Sequence, residues 1–275
     1  MIPFAAVTIP NINIATYFAT GLICSLGFPL LFLLLKNKTQ VRFVPFIIGA
    51  ATYMVLVLFA ESQLRTWVID PDSKLYDMMV ANPSLYMLVI GFGTGIIVEG
   101  GKYLVFYFIK KWYSSHKTAM AFHLGFGSVH MMFFVGIQYI VYSWLSLKQN
   151  MNIRSGAQGL DYPELLRSLA NRSPIEIPVV AIEGLLYLAL TFGLTYLVWY
   201  SATRPFKLYY LYTAVLLHAI FFAPYALIEV AVLKTSALFY SIMAVVAATS
   251  LVIAFFVYRA SVRNQDHEQE PDLFS

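Results

Sequence analysis

The chain has 275 residues, of which 60% are hydrophobic and 12% charged, against the roughly 25% charged of an ordinary soluble domain. That balance excludes a soluble globular domain and points to a multi-pass membrane protein in a lipid bilayer. The net charge of +4 calls for no nucleic-acid partner, because the basic residues fall in short separate segments, and the single cysteine, Cys24, excludes an intramolecular disulfide and any cysteine-rich metal motif.

Met1 to Asn13 contains no Lys or Arg, so the start does not read as a cleaved signal peptide and is expected to lead directly into a first span. A helix crosses the bilayer with about 20 apolar residues at about 1.5 Å each. About seven stretches satisfy this, near 12 to 35, 42 to 69, 84 to 112, 117 to 147, 176 to 203, 205 to 233 and 235 to 259. The expected fold is all-α, a polytopic transmembrane helical bundle of about seven spans. It forms a single transmembrane domain over 1–260, and the polar tail 261–275, with Asp266, Glu268, Glu270 and Asp272, is expected to be disordered.

Orientation follows from basic residues at the helix ends. Lys36, Lys38 and Arg42 precede the second span, Lys110, Lys111 and Lys117 the fourth, Arg204 and Lys207 the sixth, and Arg259 and Arg263 follow the last. These segments share one side of the membrane, which is expected to be cytoplasmic, with the N-terminus outside and the C-terminus inside. Asp70, Asp72 and Asp77 then lie outside, as does a longer loop from Lys148 to Pro174, in which Tyr162 to Leu169 suits a short interfacial helix.

Away from the helix ends, the polar residues are Glu99 and Lys102 in the third span, His123 and His130 in the fourth, Glu183 in the fifth, and His218 and Glu229 in the sixth. Ionisable groups in hydrocarbon are costly and tend to mark functional sites. Glu99 and Lys102 are three residues apart and share a face, so they can neutralise one another, either as a site or only to make the helix tolerable in lipid. His123 and His130 also share a face, but about 10 Å along the axis separates them, too far for one ion. Counted from the basic ends, Glu99, His130 and His218 each lie about 20 Å deep and Thr191 about 18 Å, with His123 shallower. Two histidines and a carboxylate are a known ligand set for catalytic zinc. A lone buried histidine is more often structural, and the common depth brings the two readings level. Gly91, Gly93, Gly95, Gly100 and Gly101, with Gly125 and Gly127, are expected to let the third and fourth spans touch.

Three stretches carry a family resemblance: Ile97-Val98-Glu99-Gly100-Gly101-Lys102-Tyr103-Leu104, Ala121-Phe122-His123-Leu124-Gly125-Phe126-Gly127-Ser128-Val129-His130, and Leu216-Leu217-His218-Ala219; Ile182-Glu183-Gly184 adds a weaker fourth. Through them the chain resembles the YhfC-like family of intramembrane metalloproteases, related to the CAAX-protease and bacteriocin-processing group. The first stretch looks like the family's paired glutamates followed by an arginine, the second like its Gly-His-Gly-Gly-x-Glu segment, and the third like its later helix with one histidine. In the fourth, the family has Glu-Arg with a histidine eight residues after the glutamate. Glu99 stands as the second glutamate and Lys102 as the arginine, and Glu183 and His218 agree with the pattern. Val98 replaces the first glutamate, Phe126 the motif histidine, His130 the motif glutamate, Gly184 an arginine and Thr191 the fifth-span histidine.

The resemblance implies a zinc-like ion held by histidines and a carboxylate while a glutamate takes a proton from bound water. In those terms Glu99 is the catalytic candidate, His130 and His218 the metal ligands, and Lys102, His123, Glu183 and Thr191 the supporting polar residues. Val98 cannot accept a proton, and neither Phe126 nor Thr191 replaces an imidazole. The favoured reading is a pseudoenzyme that keeps the protease architecture and binds a transmembrane polypeptide. An active zinc-dependent protease with a rearranged site, its third ligand unidentified, comes second. A proton or solute carrier comes last, since there is no inverted repeat and Pro224 alone does not make a paired broken-helix site.

Overall fold

Every regular element in the computed structural model is a helix among the described residues, which are 7–39, 41–69, 72, 74–156, 159–229 and 237–268. Seven helices are long and apolar enough to cross a membrane: Asn11–Lys36, Phe43–Val68, Pro83–Ile109, His116–Arg154, Val179–Thr203, Tyr209–Ile228 and Leu238–Ala260. With no water in the hydrocarbon, a helix is the element that satisfies its own backbone, so apolar stretches of this length fold this way. Pro83 opens the third span at its first turn, where a missing N–H costs nothing. Between spans five and six the chain turns at Phe206, 97% exposed with φ 57°.

The boundaries differ from expectation in a few places. The fourth helix continues to Arg154, about two turns past position 147, because its polar end is held by neighbouring backbone. The last helix runs to Glu268, beyond the boundary expected at 260. A short helix, Lys74–Ala81, precedes the third span. A short helix is present in this loop, Pro163–Asn171, with Leu166 and Leu169 buried. Asp70, the junction 230–236 and the tail from 269 onward lie outside the described residues.

The chain divides into two compact units, one of residues 1–34 and 127–185, the other of 35–126 and 186–275. In the first, Asn150 accepts from the Ile9 amide at 2.9 Å and donates to its carbonyl at 2.7 Å. Asn13 donates to the carbonyls of Leu169 at 3.1 Å and Arg172 at 2.8 Å, fastening the short helix and its exit to the first span. A Cβ on Gly21 would meet the Gly136 carbonyl at 2.9 Å, so these two backbones pack directly.

The second unit holds spans two, three, six and seven, the start of span four and most of span five. Its glycines set the spacing of the helices, but not between the pair expected. Cβ atoms on Gly91 and Gly95 would each lie 2.9 Å from a carbonyl of span six, Ala219 and Val215 respectively. Those on Gly93 and Gly101 would meet Leu64 and Leu56 of span two, and Gly125 of span four backs onto the Phe46 carbonyl of that same span. Spans three and four meet instead through aromatic rings, Phe106 and Phe122, 4.6 Å apart.

Candidate functional site

The four-residue spacing of Gly91 and Gly95 puts both on one face of span three, and without side chains there span six comes close enough to present His218. One turn further along, at Ile96–Gly100, span three widens into a π-helical turn that contains Glu99. Such turns recur at functional sites because they re-aim a side chain and loosen the local hydrogen-bond ladder. A second π-helical segment, Met54–Glu61 of span two, ends on the buried Glu61.

Glu99, Lys102 and His218 form the centre, each 0% exposed. The Lys102 ammonium donates to Glu99 Oε1 at 3.0 Å and Oε2 at 3.3 Å. His218 Nδ1 lies 2.8 Å from Glu99 Oε1. An ionised carboxylate only accepts, so with Glu99 charged the imidazole hydrogen sits on Nδ1 and the bond runs from His218 to Glu99. His218 Nε2, the other ring nitrogen, is buried with no hydrogen-bond partner among the described residues.

Aromatic rings enclose these charges. Lys102 Nζ stands 4.5 Å from the centroid of the Phe126 ring, a distance for cation–π attraction, and Phe126 in turn meets the edge of Tyr53 at 5.0 Å. On the other side, His218 stacks on Phe222 at 5.0 Å and 12°, with Tyr187 edge-on at 6.4 Å. The Arg65 guanidinium lies 5.9 Å from the Phe222 ring and its Nε donates to Glu61 at 3.1 Å. Two ion pairs, Glu99–Lys102 and Glu61–Arg65, are thus linked through His218 and Phe222.

Of the residues singled out in the sequence, the structure brings together Glu99, Lys102 and His218. His123 and Thr191 belong to the same unit, the histidine edge-on to Phe192 at 5.1 Å and the threonine donating to the Leu188 carbonyl at 3.3 Å. His130 and Glu183 belong to the other unit, where the His130 ring stacks on Phe134 at 5.2 Å. Sequence reasoning missed Tyr53, Tyr187, Phe222, Glu61 and Arg65 as partners and read Phe126 only as a lost motif histidine. Only Glu61 and Arg65 left a signal, an acid and a base four residues apart in an apolar helix.

Zinc needs about three protein ligands. Among the described residues no group of three His, Cys, Asp or Glu side chains could hold a metal ion. A cation bound at Glu99 would also face the ammonium already 3.0 Å from Oε1. His218 alone has the form of a ligand, a ring with one nitrogen on a carboxylate and the other open. The donor set at this centre therefore does not fit a zinc ion, and the chemistry it supports is charge pairing and proton exchange between Glu99 and His218.

Residues 22–248 match the family model described as YhfC intramembrane metalloprotease. The chain is 26% identical over 222 residues to a Bacillus subtilis (strain 168) protein named "Uncharacterized membrane protein YhfC", an alignment covering 78% of this chain and 85% of that relative. No solved structure matches significantly.

Proposed function

The chain belongs to the YhfC intramembrane metalloprotease family, and on that premise we propose that it is a non-hydrolysing member that keeps the family's membrane architecture and binds a transmembrane polypeptide. The observation that carries this reading is the buried pair at the centre of the site. Lys102 engages both oxygens of Glu99 while His218 takes Oε1 again, which leaves the carboxylate poorly placed to receive a proton from water. Val98 and Phe126 stand where the resemblance calls for the first glutamate and a histidine, and the Phe126 ring packs on Lys102 instead. Recognition of a membrane helix needs apolar surface and no proton acceptor, so binding outlasts the loss of hydrolysis.

A second reading has one specific observation in its favour. His218 Nε2 is open among the described residues and its Nδ1 is oriented by a carboxylate, as in a metal-ligating histidine, which is the one feature that favours an active zinc protease with a rearranged site. In either reading the basic loops face the cytoplasm, the N-terminus lies outside and the C-terminus inside.

The test uses the full-length protein in vesicles with a panel of labelled single-span peptides, read for energy transfer and for cleavage, with zinc supplied and then chelated. Saturable transfer without fragments is expected. Chelator-sensitive cleavage that disappears in Glu99→Gln would establish the active protease, and absence of saturable transfer would remove the binding role.

A further inference from the structure

Apart from the buried centre, the second unit has two adjoining cavities at the end of the bundle where the basic residues gather. The larger, about 590 Å³, lies among spans four, five and seven and is lined by Met120, Phe192, Leu251, Phe255 and Tyr258, with His116 and Lys117 contributing to its wall. The smaller, about 210 Å³, is lined by Arg42, Ser115, Lys117 and Thr118. Lys117 belongs to both, so an apolar compartment and a cationic, hydroxyl-lined one share a wall. We propose that together they bind one anionic glycerophospholipid, its phosphate at Arg42 and Lys117 and an acyl chain in the apolar groove.

Size, charge and placement each support this occupant. The groove lies within the roughly 300–1,000 Å³ of small-molecule sites. Its outer wall is lipid-facing, with Phe255 54% exposed, so a chain can enter sideways from the bilayer. Neither Arg42 nor Lys117 forms an ion pair among the described residues; Arg42 instead stands over the Tyr113 ring at 5.6 Å. A third cation, Arg259, lies 5.7 Å from the Phe255 ring at the groove's edge. His116, whose ring lines the groove and meets Tyr258 at 5.3 Å, has a buried Nδ1 with no hydrogen-bond partner among the described residues. The pocket also lies at the start of the His116–Met131 helix, where the Lys117 and Thr118 amides already donate to Ser115 and the helix dipole still favours an anion. A zwitterionic lipid would set its quaternary amine against these cations, whereas an anionic headgroup meets only matching charge.

The experiment titrates delipidated, detergent-purified full-length protein with phosphatidylglycerol, phosphatidylcholine and inorganic phosphate, counting bound molecules by native mass spectrometry. Phosphatidylglycerol is expected to bind at least tenfold more tightly than either of the others. Arg42→Gln and Lys117→Gln should each weaken it about five-fold, the worth of one basic residue beside an anionic lipid. Leu251→Trp, which fills the groove from its lipid-facing wall, should weaken lipid binding and leave phosphate binding unchanged, with melting temperature confirming that each variant folds. Equal binding of phosphatidylcholine would overturn the proposal. So would phosphate binding as tightly as the lipid, or wild-type lipid binding in folded Arg42→Gln/Lys117→Gln and Leu251→Trp.

Discussion

Glu99 and His218 are 119 positions apart in the chain, yet 2.8 Å separates the carboxylate oxygen from the imidazole nitrogen, with neither side chain exposed. The contact joins spans three and six where small residues on span three let the backbones approach. It also places on one carboxylate a histidine that carries charge only when protonated and a lysine that contributes a full ammonium. The electrostatic state of the centre therefore depends on three groups together.

Lys102 is the member whose loss should cost most. Lys102→Met leaves the Glu99 carboxylate buried with only the histidine as donor, and breaking one side of a buried pair typically costs about 3–5 kcal/mol. Unfolding in mixed micelles should show a loss of that size, and Glu99→Gln/Lys102→Met should recover at least half of it. A single variant as stable as wild type would mean that the pair contributes no charge compensation.

The close approach of spans three and six should be as sensitive as the polar contact it permits. A methyl group on Gly95 meets the Val215 carbonyl at 2.9 Å and His218 Cβ at 3.5 Å, and neither backbone can move aside cheaply. Gly95→Ala should cost about 1–3 kcal/mol as an overpacked contact. Gly100, with nothing within 4 Å of its added Cβ, is the control, since Gly100→Ala should be neutral or stabilising by up to about 1 kcal/mol. Equal melting temperatures for the two variants would contradict this packing.

Sequence reasoning reached Glu99, Lys102 and His218 because each leaves a one-dimensional trace. Three-residue spacing pairs the first two, and counting depth at a fixed rise per residue brings the third to their level. Helix rotation leaves no such trace. Phe126 reads as a lost histidine, and only the rotation of span four shows its ring packed on Lys102. The glycines read as a contact between spans three and four, although Gly91 and Gly95 face span six and Gly93 and Gly101 face span two. Glu61 and Arg65 carried a legible four-residue spacing but sit near a helix end, where charge is ordinary, and hydropathy does not encode the π-helical segment that ends at Glu61.

Orientation can be read with single cysteines on a Cys24→Ser background, since Cys24 is buried and is the chain's one cysteine. Asp72, Ser114 and Asp161 are all exposed. With the basic loops inside, cysteines at Asp72 and Asp161 should react with an impermeant thiol reagent added to intact cells, and one at Ser114 only after permeabilisation. The reverse pattern would invert the topology and move the basic end of the bundle, including Arg42 and Lys117, to the outer leaflet.

His218 offers a way to separate a structural role from a ligand role, because its two nitrogens have different surroundings. Asparagine can place an amide N–H near the position of Nδ1 and so keep the bond to Glu99, but it has nothing at Nε2. Phenylalanine keeps the ring that stacks on Phe222 and supplies no donor. If the histidine only completes the pairing of Glu99, His218→Asn should stay within about 1 kcal/mol of wild type, while His218→Phe should lose about 1.5–3 kcal/mol, the worth of a hydrogen bond to a charged group. Zinc retained by the purified protein should be negligible in wild type and in both variants. Stoichiometric zinc in wild type that vanishes in a folded His218→Asn protein would instead make Nε2 a metal ligand. The geometry of Nδ1 on Glu99 would then be the means of orienting that ligand, and the non-hydrolysing reading would have to be given up.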